Sequence, residues 1–159
     1  MISSKEAVRS LAQEAVMVPK EEMLEVGRRQ KSLFIGIPRE TSFQEKRVAL
    51  TPAAVSLLVN NGHRVLIETN AGKNANFSDS DFSESGAEIA YDIKEVYKAD
   101  VLLKVAPPTE DEIELMQPKQ TLFSALQLSV QPRSILKKLM DKRITAVAWD
   151  YIRDEEGIY

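Results

Sequence analysis

From residue 33 onward the chain alternates short apolar runs with stretches in which apolar residues recur every three or four positions. This rhythm of strand and helix predicts a parallel sheet with helices on its faces. Residues 33–38 read as the first strand. Thr51 is suited to cap a helix with Pro52 at its first position, and Val55, Leu57, Leu58 and Val59 carry that helix to Gly62, which can take the left-handed cap. A strand at 64–68 follows at once, then a polar loop at 70–76. Ser78 caps a short helix with Asp79 and Asp81 in its positive first turn, and residues 87–90 form a weak strand. A helix is predicted over 92–98 and a strand over 99–105, whose almost continuous apolar run implies burial on both faces. Thr109 and Glu112 supply a capping box for a helix to Met116; a strand over 121–128, a helix from Pro132 to Met140 and a strand over 144–149 complete the series. Six strands with helical crossovers predict an α/β fold with a doubly wound, mostly parallel sheet.

The first 31 residues follow a different pattern. Ser3 and Glu6 fit a capping box, and Ala7, Val8, Leu11, Ala12, Ala15 and Val16 keep helical spacing until Pro19 interrupts. Residues 20–26 can form a second short helix ending near Gly27. Residues 1–31 therefore read as an N-terminal helical extension, either packed on a domain at 32–159 or a neighbouring subunit, or a solvated arm.

Composition narrows the chemistry. With 159 residues, 43% of them hydrophobic and 28% charged, the chain suits a soluble globular protein with room for one core. A net charge of -3 and a pI near 5.3 argue against nucleic acid or an anionic membrane as the main partner, because both need a basic face. There is no cysteine, hence neither a disulfide nor a thiolate metal site, and no apolar run reaches the length of a membrane span. The N-terminus lacks the unbroken apolar centre of a signal peptide, so the cytoplasm is the expected location.

Two cations stand out. Arg47 lies in a loop between the first strand and the first helix, together with Glu40, Glu45 and Lys46. Ligands in open α/β sheets bind at such handovers, and a guanidinium grips a carboxylate with two prongs; a solvated charged loop is the alternative. Lys104 interrupts the apolar run Val101, Leu102, Leu103, Val105 near a strand's C-terminal end. A charge there must find a partner or reach water along its own stem.

The runs IGIPRE, EKRVALTP, NGHRVLIE, FSDSDF, SGAEI, ADVLLKVAPP and LFSALQL, in this order, resemble the N-terminal domain shared by alanine dehydrogenase and the alpha subunit of the nicotinamide nucleotide transhydrogenase, over residues 32–159. The resemblance implies a Rossmann- or flavodoxin-like substrate domain of an NAD-dependent oxidoreductase that interconverts alanine with pyruvate and ammonia. It implies that the arginine of the RVA motif, here Arg47, and the lysine of the LLKV motif, here Lys104, bind the carboxylate and oxo group of a small 2-oxo or amino acid. The family's histidine, a proton-transfer residue, falls on Gln127, and an amide hydrogen bonds but does not exchange protons near neutrality. His63, in the turn before the second strand, reads as structural. In the family a separate Rossmann domain binds the nucleotide. No GxGxxG occurs here, so that domain is expected to be absent from this chain, which alone should bind no NAD and turn over no substrate. The resemblance further implies a homo-oligomer. Two alternatives remain open: the scaffold domain of a transhydrogenase alpha subunit, and a non-catalytic carboxylate-binding module.

Overall fold

In the computed structural model, which describes residues 32–153, strand and helix alternate along the chain. The strands are β1 (Phe34–Ile37), β2 (Arg64–Glu68), β3 (Glu88–Ala90), β4 (Val101–Leu103), β5 (Thr121–Ser124) and β6 (Thr145–Ala148). The helices are α1 (Pro52–Asn60), α2 (Asp79–Glu84), α3 (Ile93–Val96), α4 (Glu110–Leu115) and α5 (Arg133–Asp141), with single 3-10 turns at Lys73–Ala75 and Trp149–Tyr151. The helical extension expected at 1–31 lies outside the described residues.

All five strand pairings are parallel, and the sheet order is β3-β2-β1-β4-β5-β6. The chain winds outward from β1 to β3, returns through α3 to lay β4 on the other side of β1, and winds outward again to β6. The connections leaving β1 and β4 thus run in opposite directions and open a crevice at the strands' C-terminal ends. Alternation along the strands sorts the helices. Ile35, Ile37, Val65 and Ile67 face Val55 of α1 and Phe82 of α2, whereas Leu102 and Leu122 face Tyr97, Ile113 and Met116 around α3 and α4 and Ile135 and Leu139 of α5.

The helix ends follow their sequence signals. Thr51 Oγ1 accepts from the Ala54 N–H at 3.4 Å with Pro52 in the first turn, and Gly62 follows with φ +85°, a backbone conformation that residues with a side chain rarely adopt. Ser78 and Asp81 close a reciprocal capping box at α2, and the Ser78 N–H and hydroxyl hold the Asp81 carboxyl below its ordinary value. Thr109 and Glu112 close a second reciprocal capping box at α4.

Several elements are shorter than their apolar runs. The strand expected over 99–105 is regular only at Val101–Leu103, because Glu40 takes the N–H groups of Val105 and Ala106. The strand expected over 121–128 stops at Ser124: Asp150 accepts from the Leu126 and Gln127 N–H groups at 3.1 and 2.9 Å, and Gln127 turns the chain with φ +46°. The helix expected over 92–98 is regular only over Ile93–Val96. Beneath it, buried Gln120 donates from Nε2 to the Tyr97 and Ala99 carbonyls, both at 2.6 Å, and accepts from the Gln117 N–H.

Candidate ligand-binding site

The loop from Pro38 to Thr51 carries the charge that the sequence concentrates after β1. Within it, Glu45 N–H donates to the Ser42 carbonyl at 3.1 Å, closing a turn in which Gln44 has φ +66°. That turn folds the Glu45 carboxylate back over Arg47. Glu45 Oε1 accepts from the Arg47 backbone N–H and from Nε, each at 2.9 Å, while Oε2 accepts from Nη2 at 2.7 Å. The Arg47 side chain is 66% exposed against 13% for Glu45, so the carboxylate is seated in the loop and the guanidinium reaches out to it. The Arg47 guanidinium holds the Glu45 carboxyl well below the usual range, at about 2.

Lys104 follows directly on β4, and its side chain is only 1% exposed. It therefore does not reach water; it finds partners. Its Nζ donates to Glu112 Oε1 at 2.9 Å and lies 3.3 Å from Glu40 Oε2. Both carboxylates are independently anchored. Glu40 accepts from Val105 N–H at 2.6 Å and Ala106 N–H at 3.3 Å, and Glu112 accepts from Thr109 N–H at 2.8 Å and the Thr41 hydroxyl at 3.3 Å. Glu68, also buried, accepts from Arg39 N–H at 2.9 Å. Burial, reinforced by the charges of Glu112, Glu68 and Glu40, pushes the Tyr97 hydroxyl far up.

Arg47 and Lys104 line one cavity of about 400 Å³ at the crevice between β1 and β4. Its other walls are Val48, Ala49 and Leu50 before α1, Leu103 and Val105 beside Lys104, and Phe123 and Trp149 from the second half of the sheet. An exposed guanidinium beside apolar walls suits a small organic anion.

Gln127 is exposed and is not among the residues lining this cavity. Its N–H is held by Asp150 and its carbonyl accepts from the Val130 and Gln131 N–H groups, so its backbone builds a turn. His63 Nδ1 accepts from the Leu33 N–H at 3.3 Å, fastening the turn before β2 to the start of β1. Sequence reasoning placed Glu112 only in a capping box and Glu40 and Glu45 only in a charged loop. The missing signal for Glu112 was its register: the capping acid of α4 also falls eight residues after Lys104.

Among the described residues no group of three or more acids or histidines could hold a metal, and no helix is long and apolar enough to cross a membrane. The residues present also do not fit a dinucleotide. The β1–α1 connection contains no glycine and carries Glu40 and Glu45 where a pyrophosphate would need close, positive backbone.

The fold and crevice define a class: a doubly wound, all-parallel α/β domain with a largely apolar-walled cavity at its switch point. Residues 36–158 match the alanine dehydrogenase/PNT N-terminal domain, and the chain belongs to that family. It is 39% identical over 122 residues to the alanine dehydrogenase of Bacillus subtilis (strain 168), covering 77% of this chain and 32% of that protein. The alanine dehydrogenase of Methanococcus maripaludis is likewise 39% identical over 122 residues, covering 76% and 32%. A solved L-alanine dehydrogenase superposes with TM-score 0.74 at 37% identity, over 77% of this chain and 34% of that one. A transhydrogenase from Sinorhizobium meliloti superposes with TM-score 0.72 at 22% identity, over 77% and 35%, a likeness of fold alone. The chain spans about a third of the length of the curated relatives it matches.

Proposed function

We propose that this chain is the substrate-binding domain of an alanine-dehydrogenase-like oxidoreductase and that its cavity holds a small 2-oxo acid such as pyruvate. The observation that carries this reading is the convergence of Arg47 and Lys104, from separate halves of the sheet, on one apolar-walled cavity at the switch point. Arg47 grips the ligand carboxylate, and Lys104, aimed by Glu40 and Glu112, holds the oxo oxygen and draws charge from the carbonyl carbon. NAD belongs on this reading to a further domain of the whole protein, which assembles as a homo-oligomer in the cytoplasm.

Calorimetry with pyruvate on the 159-residue chain tests this. Binding should weaken about 10- to 100-fold in Arg47→Ala, as expected for loss of a charge-assisted pair. Unchanged affinity in that variant would overturn the assignment. Gln127 favours a second reading, since it offers no proton-transfer group and stands outside the cavity: a transhydrogenase alpha-subunit domain that binds no substrate. Absence of 2-oxo acid binding by the unaltered chain decides for it.

A further inference from the structure

The ion pair at Arg47 raises a difficulty for any anionic ligand. Arg47 and Lys104 bring two formal positive charges to the crevice, but Glu45, Glu40 and Glu112 bring three negative ones, and every one of these carboxylates is within 3.3 Å of one of those cations. An incoming carboxylate therefore meets a site already neutralised and slightly overcompensated. It gains the full charge of a cation only if one internal carboxylate gives that cation up.

The structure indicates which one. Glu40 and Glu112 sit on a lysine with a side chain 1% exposed, and parting that buried group would leave a charge stranded away from water. Glu45 sits on an arginine whose side chain is 66% exposed, so the guanidinium stays solvated if the pair parts. Exposed pairs of this kind are weak and exchange readily. Departure of the guanidinium also leaves Glu45 with a donor, because Oε1 still accepts from the Arg47 backbone N–H at 2.9 Å. The Glu45 contact is moreover the one a ligand carboxylate would copy: it occupies the Nε and Nη2 edge of the guanidinium with two parallel bonds at 2.9 and 2.7 Å.

We propose that Glu45 is a built-in competitor for Arg47, an internal carboxylate that occupies the guanidinium fork until a ligand carboxylate takes its place. The exchange sets the selectivity of the site. A carboxylate that matches the fork replaces one bidentate pair with another, while a neutral analogue, such as the methyl ester of pyruvate, has nothing to offer in exchange and leaves the latch closed. This inference rests on the 2-oxo acid reading given above and adds to it the residue that regulates access.

The test is calorimetric titration of the 159-residue chain with pyruvate and with its methyl ester, for the unaltered protein, Glu45→Gln, Arg47→Ala and the double variant. Glutamine keeps an acceptor for the Arg47 N–H, so the loop retains its turn, but it no longer neutralises the guanidinium. Glu45→Gln is expected to bind pyruvate about 3- to 10-fold tighter, the range set by an exposed pair, and the gain should vanish when Arg47 is also removed. Affinity equal to or weaker than that of the unaltered chain in Glu45→Gln, with binding lost in Arg47→Ala, overturns the competitor role and leaves the 2-oxo acid reading standing. No pyruvate binding by either the unaltered chain or Glu45→Gln overturns both. A second readout needs no variant: in the unaltered chain, saturating pyruvate should shift the Glu45 carboxyl carbon resonance, and the same concentration of the methyl ester should leave it in place. An unmoved resonance under saturation refutes the exchange.

Discussion

The Lys104 ammonium and the Glu112 carboxylate meet at 2.9 Å with side chains only 1% and 5% exposed, and a second carboxylate, Glu40, closes on the same nitrogen. A pair so placed does little for net stability compared with a well-packed apolar pair, but removing one member is costly. Lys104→Met is expected to destabilise the fold by about 3–5 kcal/mol, since Glu112 and Glu40 are left buried without their cation. Urea unfolding measures this. Adding Glu112→Leu to that variant should recover part of the loss, so the double variant is more stable than the sum of the two single changes. Strict additivity would show that the two side chains do not interact.

Much of this arrangement is legible in the amino-acid sequence. Apolar periodicity placed all six strands, and Thr51, Ser78 and Thr109 announced their helices because capping chemistry is local in sequence. Lys104 also announced itself, as a charge inside an apolar run. Its partners did not: Glu40 reaches it from another strand's loop, and nothing in local spacing encodes that approach. The strand ends were misjudged for the same reason. Hydropathy carries the β5 run on to Leu128, whereas the actual limit is set by Asp150, more than twenty residues later, competing for the Leu126 and Gln127 N–H groups.

Acid should weaken the fold in a defined window. Arg47 lowers the Glu45 carboxyl from 4.5 to about 2, and Arg64 lowers that of Glu88 through a bidentate pair at 2.8 and 2.7 Å. A carboxyl that holds its proton less tightly when folded contributes stability that is complete above its unfolded value and is lost as pH falls through the folded one. The Glu45 contribution should therefore disappear between about pH 4.5 and about pH 2. Denaturant midpoints measured across that range should fall for the unaltered chain and fall less steeply for Arg47→Ala, the two curves converging near the acid end. Both pairs are exposed on the arginine side, so salt should shrink the difference.

Gly36 in the central strand is fixed by close approach. A Cβ there would stand 2.5 Å from the Val96 carbonyl oxygen, 2.9 Å from Ala99 Cβ and 3.1 Å from Leu102 Cδ2. Two of these three atoms belong to the segment that returns the chain from β3 to β4, so α3 packs against β1 because no side chain intervenes. Gly36→Ala should cost about 1–3 kcal/mol through overpacking, read as a lowered urea midpoint, with no gain from reduced chain entropy able to offset it. A stability within 0.5 kcal/mol, roughly the level of a neutral surface change, would show that α3 yields instead.

The bond from Val105 N–H to Glu40 has a consequence for the order of folding. It joins residues 65 positions apart, and the β1–β4 pairing beside it joins residues 66 apart, whereas each half of the sheet is assembled from neighbouring strand–helix–strand units. Closing the longer loop costs more chain entropy before any contact offsets it. The two halves are thus expected to organise first, and their seam to close last. The crevice where Arg47 and Lys104 meet comes into existence only with that closure, so competence to hold a ligand marks completion of the fold itself.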